Sequence, residues 1–138
     1  MQRNLLLSIF AALAITNSTV KAVEQWGVFE ASLPAVDAPR TIDSVFSATF
    51  SQGSRNVTVP GFWDGANDFK VRFSPPTKGD WNYTTHSKHA ALNGKTGAFT
   101  AENPSGENHG PVQAFDTYYL RHADGTPYHQ FGTTCYAW

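Results

Sequence analysis

The stretch Asp68-Phe69-Lys70-Val71-Arg72-Phe73-Ser74 alternates strictly, with Phe69, Val71 and Phe73 on one side and Lys70 and Arg72 on the other. A period of two puts the apolar side chains on one face of an extended strand and the cations on the opposite face. Such a strand needs a second layer over its apolar face, so the stretch predicts a layered β fold. Neighbouring segments agree. SVFSATFS places Phe46, Ala48 and Phe50 on one face, and RNVTVPGFW turns Val57 and Val59 inward before Pro60 ends the ladder. EQWGVFEASL reads as a strand around Trp26, Val28 and Phe29, with Trp26 in the core, and KTGAFTAE as a last strand around Phe99. QGS and DGAND read as turns, Gly and Pro punctuate the chain at short intervals, and no amphipathic helix follows residue 22.

The segment GDWNY, Gly79 to Tyr83, is spaced like the corner of an immunoglobulin-like sandwich, with Trp81 and Tyr83 on one face. Tyr83 then stands where antibody domains carry a disulfide cysteine. That fits a chain with one cysteine, Cys135, which allows no internal bridge. A lone Cys in an apolar strand reads as a small buried hydrophobe. The expected fold class is all-β: an immunoglobulin-like β-sandwich over residues 23–102, followed by a β-hairpin and the first strand of a truncated (β/α)8 barrel.

Residues 1–22 combine Arg3, an apolar run from Leu5 to Ile15 and the small-residue site Val20-Lys21-Ala22. This is the layout of a secretory signal peptide cleaved after Ala22, because a bilayer span needs about 20 apolar residues and this run is shorter. The expected location is secreted or periplasmic, with no membrane attachment after cleavage. Removing the leader takes Arg3 and Lys21 and no acidic residue, leaving eight basic against eleven acidic side chains. No basic stripe remains to draw nucleic acid.

ENPSGENHGPV is polar and rich in Gly and Pro, so residues 103–110 read as a linker. Beyond it, TYYLRHADGTPYHQF reads as a hairpin joined at Asp124-Gly125, a preferred central pair for a two-residue turn. Gly132 breaks the run, and Thr133 to Trp138 reads as a new strand. Residues 111–138 thus look like the start of a second unit. Segments as apolar as FGTTCYAW are stable only when paired and packed, and further strands are expected beside it.

Two groups of motifs carry a family resemblance. VEQWGVFEASL, SATFSQGSRNVTVPGFWDG, FKVRFSPPTKGDWNYTT and LNGKTGAF resemble the β-sandwich domain of unknown function that precedes the catalytic barrel of secreted, apiosidase-like glycoside hydrolases. NHGPV and HADGTPYHQFGTTCYAW are similar to the opening of that barrel. The chain departs from the family between Asp37 and Ser44, where VDAPRTIDSVF replaces an Asn-Pro-Phe element. The resemblance implies a glycosidase in the full-length protein, with carboxylates at later barrel strands. None of those positions falls in this chain, so no residue here takes a catalytic role, and no cofactor or metal is assigned. The implied partner is the barrel of the same polypeptide, with polysaccharide as a further candidate.

His86 and His89 lie three apart in a turn-rich stretch, which reads as a solvated loop rather than a metal pair. Asp64, Asn67 and Asp68 offer oxygen ligands without EF-hand spacing and read as turn residues. Asn56-Val-Thr58 and Asn82-Tyr-Thr84 match the glycosylation pattern but fall within expected strands. The aromatics are more informative. Adjacent Phe62 and Trp63 cannot both point inward, so one of them is expected at a domain interface or a sugar contact, as are Tyr136 and Trp138. The leading expectation is a non-catalytic accessory module that packs against a carbohydrate-degrading barrel. The alternatives are a free-standing carbohydrate-binding module and an extracellular immunoglobulin-like adhesion module.

Overall fold

The computed structural model describes residues 21–132. Most of the leader, the strand expected from Thr133 to Trp138, Cys135, and the site candidates Tyr136 and Trp138 lie outside the described residues.

Ten strands follow in order: β1 (Lys21–Glu24), β2 (Phe29–Pro34), β3 (Phe46–Gln52), β4 (Arg55–Pro60), β5 (Phe62–Trp63), β6 (Asp68–Phe73), β7 (Gly79–Ser87), β8 (Thr96–Glu102), β9 (Val112–Phe115) and β10 (Tyr119–His122). They form a five-stranded sheet in the order β1-β8-β7-β3-β4, a three-stranded sheet in the order β2-β6-β5, and the separate pair β9-β10. All pairings are antiparallel except β1 with β8. The two larger sheets face each other as a sandwich, and no helix occurs among the described residues.

The alternation of Phe69, Val71 and Phe73 in β6 sets the register. β2 pairs with β6 so that Phe29 faces Phe73, Ala31 faces Val71 and Leu33 faces Phe69, all buried. The outward pairs are Glu30 with Arg72 and Ser32 with Lys70. Between the layers, Phe50 stacks on Phe73 at 4.2 Å and Phe29 on Phe99 at 4.0 Å, while Trp81 meets Phe73 edge-on at 5.0 Å. Such ring pairs add about 0.5–1.5 kcal/mol each beyond the area they bury. Tyr83 leans on Phe29 and Phe50 at 5.8 and 5.4 Å, packing the half-buried margin of this cluster.

One residue carries the chain from one layer to the other. β4 belongs to the larger sheet, β5 to the smaller, and only Gly61 lies between them. The Gly61 amide donates to the Phe46 carbonyl at 2.9 Å, and the Phe46 ring lies against the Gly61 backbone. A Cβ at this position would stand 2.0 Å from that ring, so any side chain would displace a core aromatic. Thr85 closes the other end. It is fully buried, donates to the Leu92 carbonyl at 2.6 Å and accepts from the Lys95 amide at 2.9 Å, fixing the β7–β8 connection over buried Leu92.

Four local readings need correction. Trp26 is not in a core strand: it sits half-buried at φ +65° in the turn between β1 and β2, and Val28 is 63% exposed. The turn wins because the Gly27 amide reaches back to the Glu24 carbonyl at 2.9 Å while the Trp26 amide bonds Pro75 at 2.9 Å. His86 lies in β7, not in a loop, where Nε2 meets Thr49 Oγ1 at 3.2 Å on the polar outer face. The hairpin turn is also different. The strand β9, not foreseen, pairs with β10 through Asp116 to Tyr118, with Asp116 and Thr117 at φ +48° and +66°. Asp124-Gly125 makes a second, shorter return that brings Arg121 opposite Pro127.

The segment with linker composition is strapped to the sandwich. The Ser105 amide donates to Glu24 Oε2 at 2.6 Å, and Asn108 Nδ2 donates to the Gln25 carbonyl at 3.1 Å. The Ser105 amide holds the Glu24 carboxyl below its ordinary range. The Trp26 indole closes over Gly110, where a Cβ would stand 2.5 Å from the ring.

Candidate functional site

Phe62 and Trp63 take opposite faces, as adjacent strand residues must. Phe62 is paired with Lys70 and lies on the outer face of the smaller sheet, with the Arg72 guanidinium 5.0 Å from its ring centroid. That cation covers the ring. Arg72 is itself held by Glu30 at 2.7 Å, and Lys70 pairs with Glu30 at 3.3 Å and with Asp64. These contacts lower the Glu30 carboxyl, chiefly through Arg72, and the Asp64 carboxyl, chiefly through Lys70, while raising the Lys70 ammonium. The outer face around Phe62 is thus a closed ion network, with Asp64 an ion-pair partner and Asn67 Oδ1 accepting from Arg40 Nη2 at 2.6 Å. Trp63 is 37% exposed, and its indole N–H donates to the Ala66 carbonyl at 3.1 Å, which fixes the ring over the β5–β6 turn.

A second cluster of exposed aromatic side chains lies elsewhere. Phe115, Tyr118, Tyr119, Leu120, Tyr128 and Phe131 line an open groove of about 720 Å³ on the β9–β10 hairpin. Tyr118 and Phe131 are 88% and 92% exposed. Arg121 shares the groove, its guanidinium 4.1 Å from the Phe115 ring centroid, and its buried Nε has no hydrogen-bond partner among the described residues. Among the described residues the groove is lined by aromatic and aliphatic side chains with Arg121, His129 and Gln130.

The groove is positioned by a polar latch. His109 Nδ1 lies 2.7 Å from Asp124 Oδ2, and the Thr126 amide and hydroxyl donate to the same carboxylate at 2.9 and 3.0 Å. The Thr126 amide, then His109, holds the Asp124 carboxyl down to about 2. His122 Nδ1 donates to the Gly110 carbonyl at 3.0 Å, and its ring meets Tyr128 edge-on at 5.3 Å. The Asp124-Gly125 turn is thereby tied to the strapped segment, which is tied through Trp26 to the sandwich.

Phe62 and Trp63 are not among the residues lining the hairpin groove, so the two aromatic candidates form separate places on the molecule. The groove residues were missed in the sequence because TYYLRH has no period-two pattern and its turn residues, Asp116 and Thr117, lack a glycine signal. The available clue was the density of Tyr and Phe after the linker. Among the described residues no three metal-ligating side chains come together.

Residues 22–88, just under half of the chain, match the family described as domain of unknown function DUF5060. None of the curated proteins matches the chain. A crystal structure from Bacteroides vulgatus ATCC 8482, named as that of a putative glycoside hydrolase, is similar over 86% of this chain at 42% identity and a TM-score of 0.78. The chain spans 23% of that protein's length.

Proposed function

We propose that this chain is a non-catalytic, N-terminal accessory module of a secreted glycoside hydrolase, and that its hairpin face packs against a carbohydrate-degrading barrel. The observation that carries this reading is the likeness at 42% identity to 23% of a larger protein named as a putative glycoside hydrolase. A unit that recurs inside a longer polypeptide needs a surface for its neighbour. The exposed aromatic groove, at the end where the chain leaves the sandwich, supplies one. The module's part is to hold and shield its neighbour, while the acid and base of hydrolysis belong to that neighbour. Assay of the purified chain on a panel of plant and microbial glycosides should give no turnover above a heat-denatured control, and turnover would overturn the reading.

A second reading, a carbohydrate-binding module, rests on Trp63, whose ring is exposed and fixed in orientation. It requires affinity for a polysaccharide that falls on Trp63→Ala. A flat titration across the same polysaccharides removes it.

A further inference from the structure

The polar latch brings two histidines together and fixes the tautomer of each. His109 comes from the strapped segment and His122 from the end of β10, and their ring centroids stand 5.4 Å apart at an interplanar angle of 48°. His109 Nδ1 lies 2.7 Å from the Asp124 carboxylate, which is ionised at neutral pH, and His122 Nδ1 lies 3.0 Å from the Gly110 carbonyl. Both partners can only accept a hydrogen bond. Each neutral ring therefore carries its proton on Nδ1 and a lone pair on Nε2. Among the described residues, both rings make their hydrogen bonds through Nδ1 alone.

We propose that His109 and His122 bind one zinc-class divalent ion through their Nε2 atoms, and that the ion staples the strapped segment to the hairpin. The surroundings of the rings match this use. A ligating imidazole almost always gives its other ring N–H to a carboxylate or a backbone carbonyl, and here one ring has the first and its neighbour the second. The spacing matches as well: two imidazoles that share a tetrahedral ion, each at about 2.0–2.1 Å, stand with their centroids about 5 Å apart. The Asp124 carboxylate behind His109 offsets part of the ion's charge, and the Thr126 amide and hydroxyl hold that carboxylate at 2.9 and 3.0 Å. Nitrogen donors favour zinc, copper or nickel over calcium and magnesium, which take oxygen ligands. The His109 side chain is 37% exposed, so an ion can enter and water can fill the remaining positions. With two protein ligands the ion exchanges more readily than one closed in by four.

The test titrates zinc chloride into the purified chain and follows each histidine ring by two-dimensional NMR, which reports tautomer and ligation separately. Before zinc, His109 and His122 should both show the Nδ1–H form. At one molar equivalent their Nε2 signals should move together, while those of His86, His89 and His129 stay in place. In calorimetry Asp124→Asn should weaken zinc binding by about 10–100-fold. His109→Ala and His122→Ala should each weaken it at least as much, and His86→Ala should bind as the parent does. The ring signals are read on the unaltered chain, so a substitution that loosens the hairpin cannot decide the outcome. Zinc that moves neither ring, or one without the other, overturns the proposal, as does an Asp124→Asn chain that binds as tightly as its parent.

Discussion

The sandwich and the hairpin are both rich in aromatic residues and use them in opposite ways. In the sandwich, Phe29, Phe50, Phe73, Trp81 and Phe99 are buried in stacked and edge-on pairs between two sheets. In the hairpin, Phe115, Tyr118, Tyr119 and Phe131 stand largely in solvent around a groove. Composition does not separate the regions; a facing layer does. Burying a large apolar side chain stabilises by about 1.5–3 kcal/mol, and the hairpin rings gain little of this within the described residues. The sandwich holds itself up, and the hairpin is held in place by its polar latch and the Trp26 clasp.

The largest expected loss lies in the sandwich core. Phe50→Ala should cost about 3–5 kcal/mol, because the ring stacks on Phe73 and leaves a cavity between the layers. Urea unfolding followed by tryptophan fluorescence measures it, and a loss below about 1 kcal/mol would show that the layers collapse to refill the site. Thr85→Val comes next. It keeps the shape but leaves the Leu92 carbonyl and Lys95 amide without the hydroxyl, at a cost of about 1–3 kcal/mol in the same assay.

Deleting residues 111–138 should change the sandwich by only about 0.5 kcal/mol, since among the described residues its core contains none beyond Ala101. Loss of cooperative unfolding in that variant would show that the hairpin is part of the sandwich's support. The smallest effect is a local one. The Asp124 carboxyl is held down to about 2 from 3.8, so its bonds to His109 and Thr126 are fully present above about pH 4 and are lost as pH falls through about 2. Following the Thr126 amide by NMR should give a midpoint near 2, and a midpoint near 4 would show that the latch is not formed in solution.

The same contrast explains what could be read in advance. β3, β4, β6, β7 and β8 were legible because one buried face imposes a period of two, and the structure places Phe46, Phe50, Phe69, Val71, Phe73, Trp81 and Phe99 inside as expected. Trp26 misled because a large aromatic beside Val28 and Phe29 resembles a strand, whereas its φ of +65° is set by long-range bonds to Pro75 and by the approach of Gly110. β9 was invisible for a related reason: among the described residues no layer covers it, so nothing there imposes alternation on Val112 to Phe115. At the candidate sites, the opposed faces of Phe62 and Trp63 followed from adjacency alone. The cover that Arg72 places on Phe62 did not, because it depends on the register of β5 against β6.

The crossing at Gly61 has a consequence for how the molecule breathes. With a single residue between β4 and β5, and the Phe46 ring pressed on it, neither layer can slide along the other without tearing a strand from its partner. The sandwich amides should therefore surrender to deuterium exchange as one set across both sheets, with the fraying confined to β1 and to the hairpin.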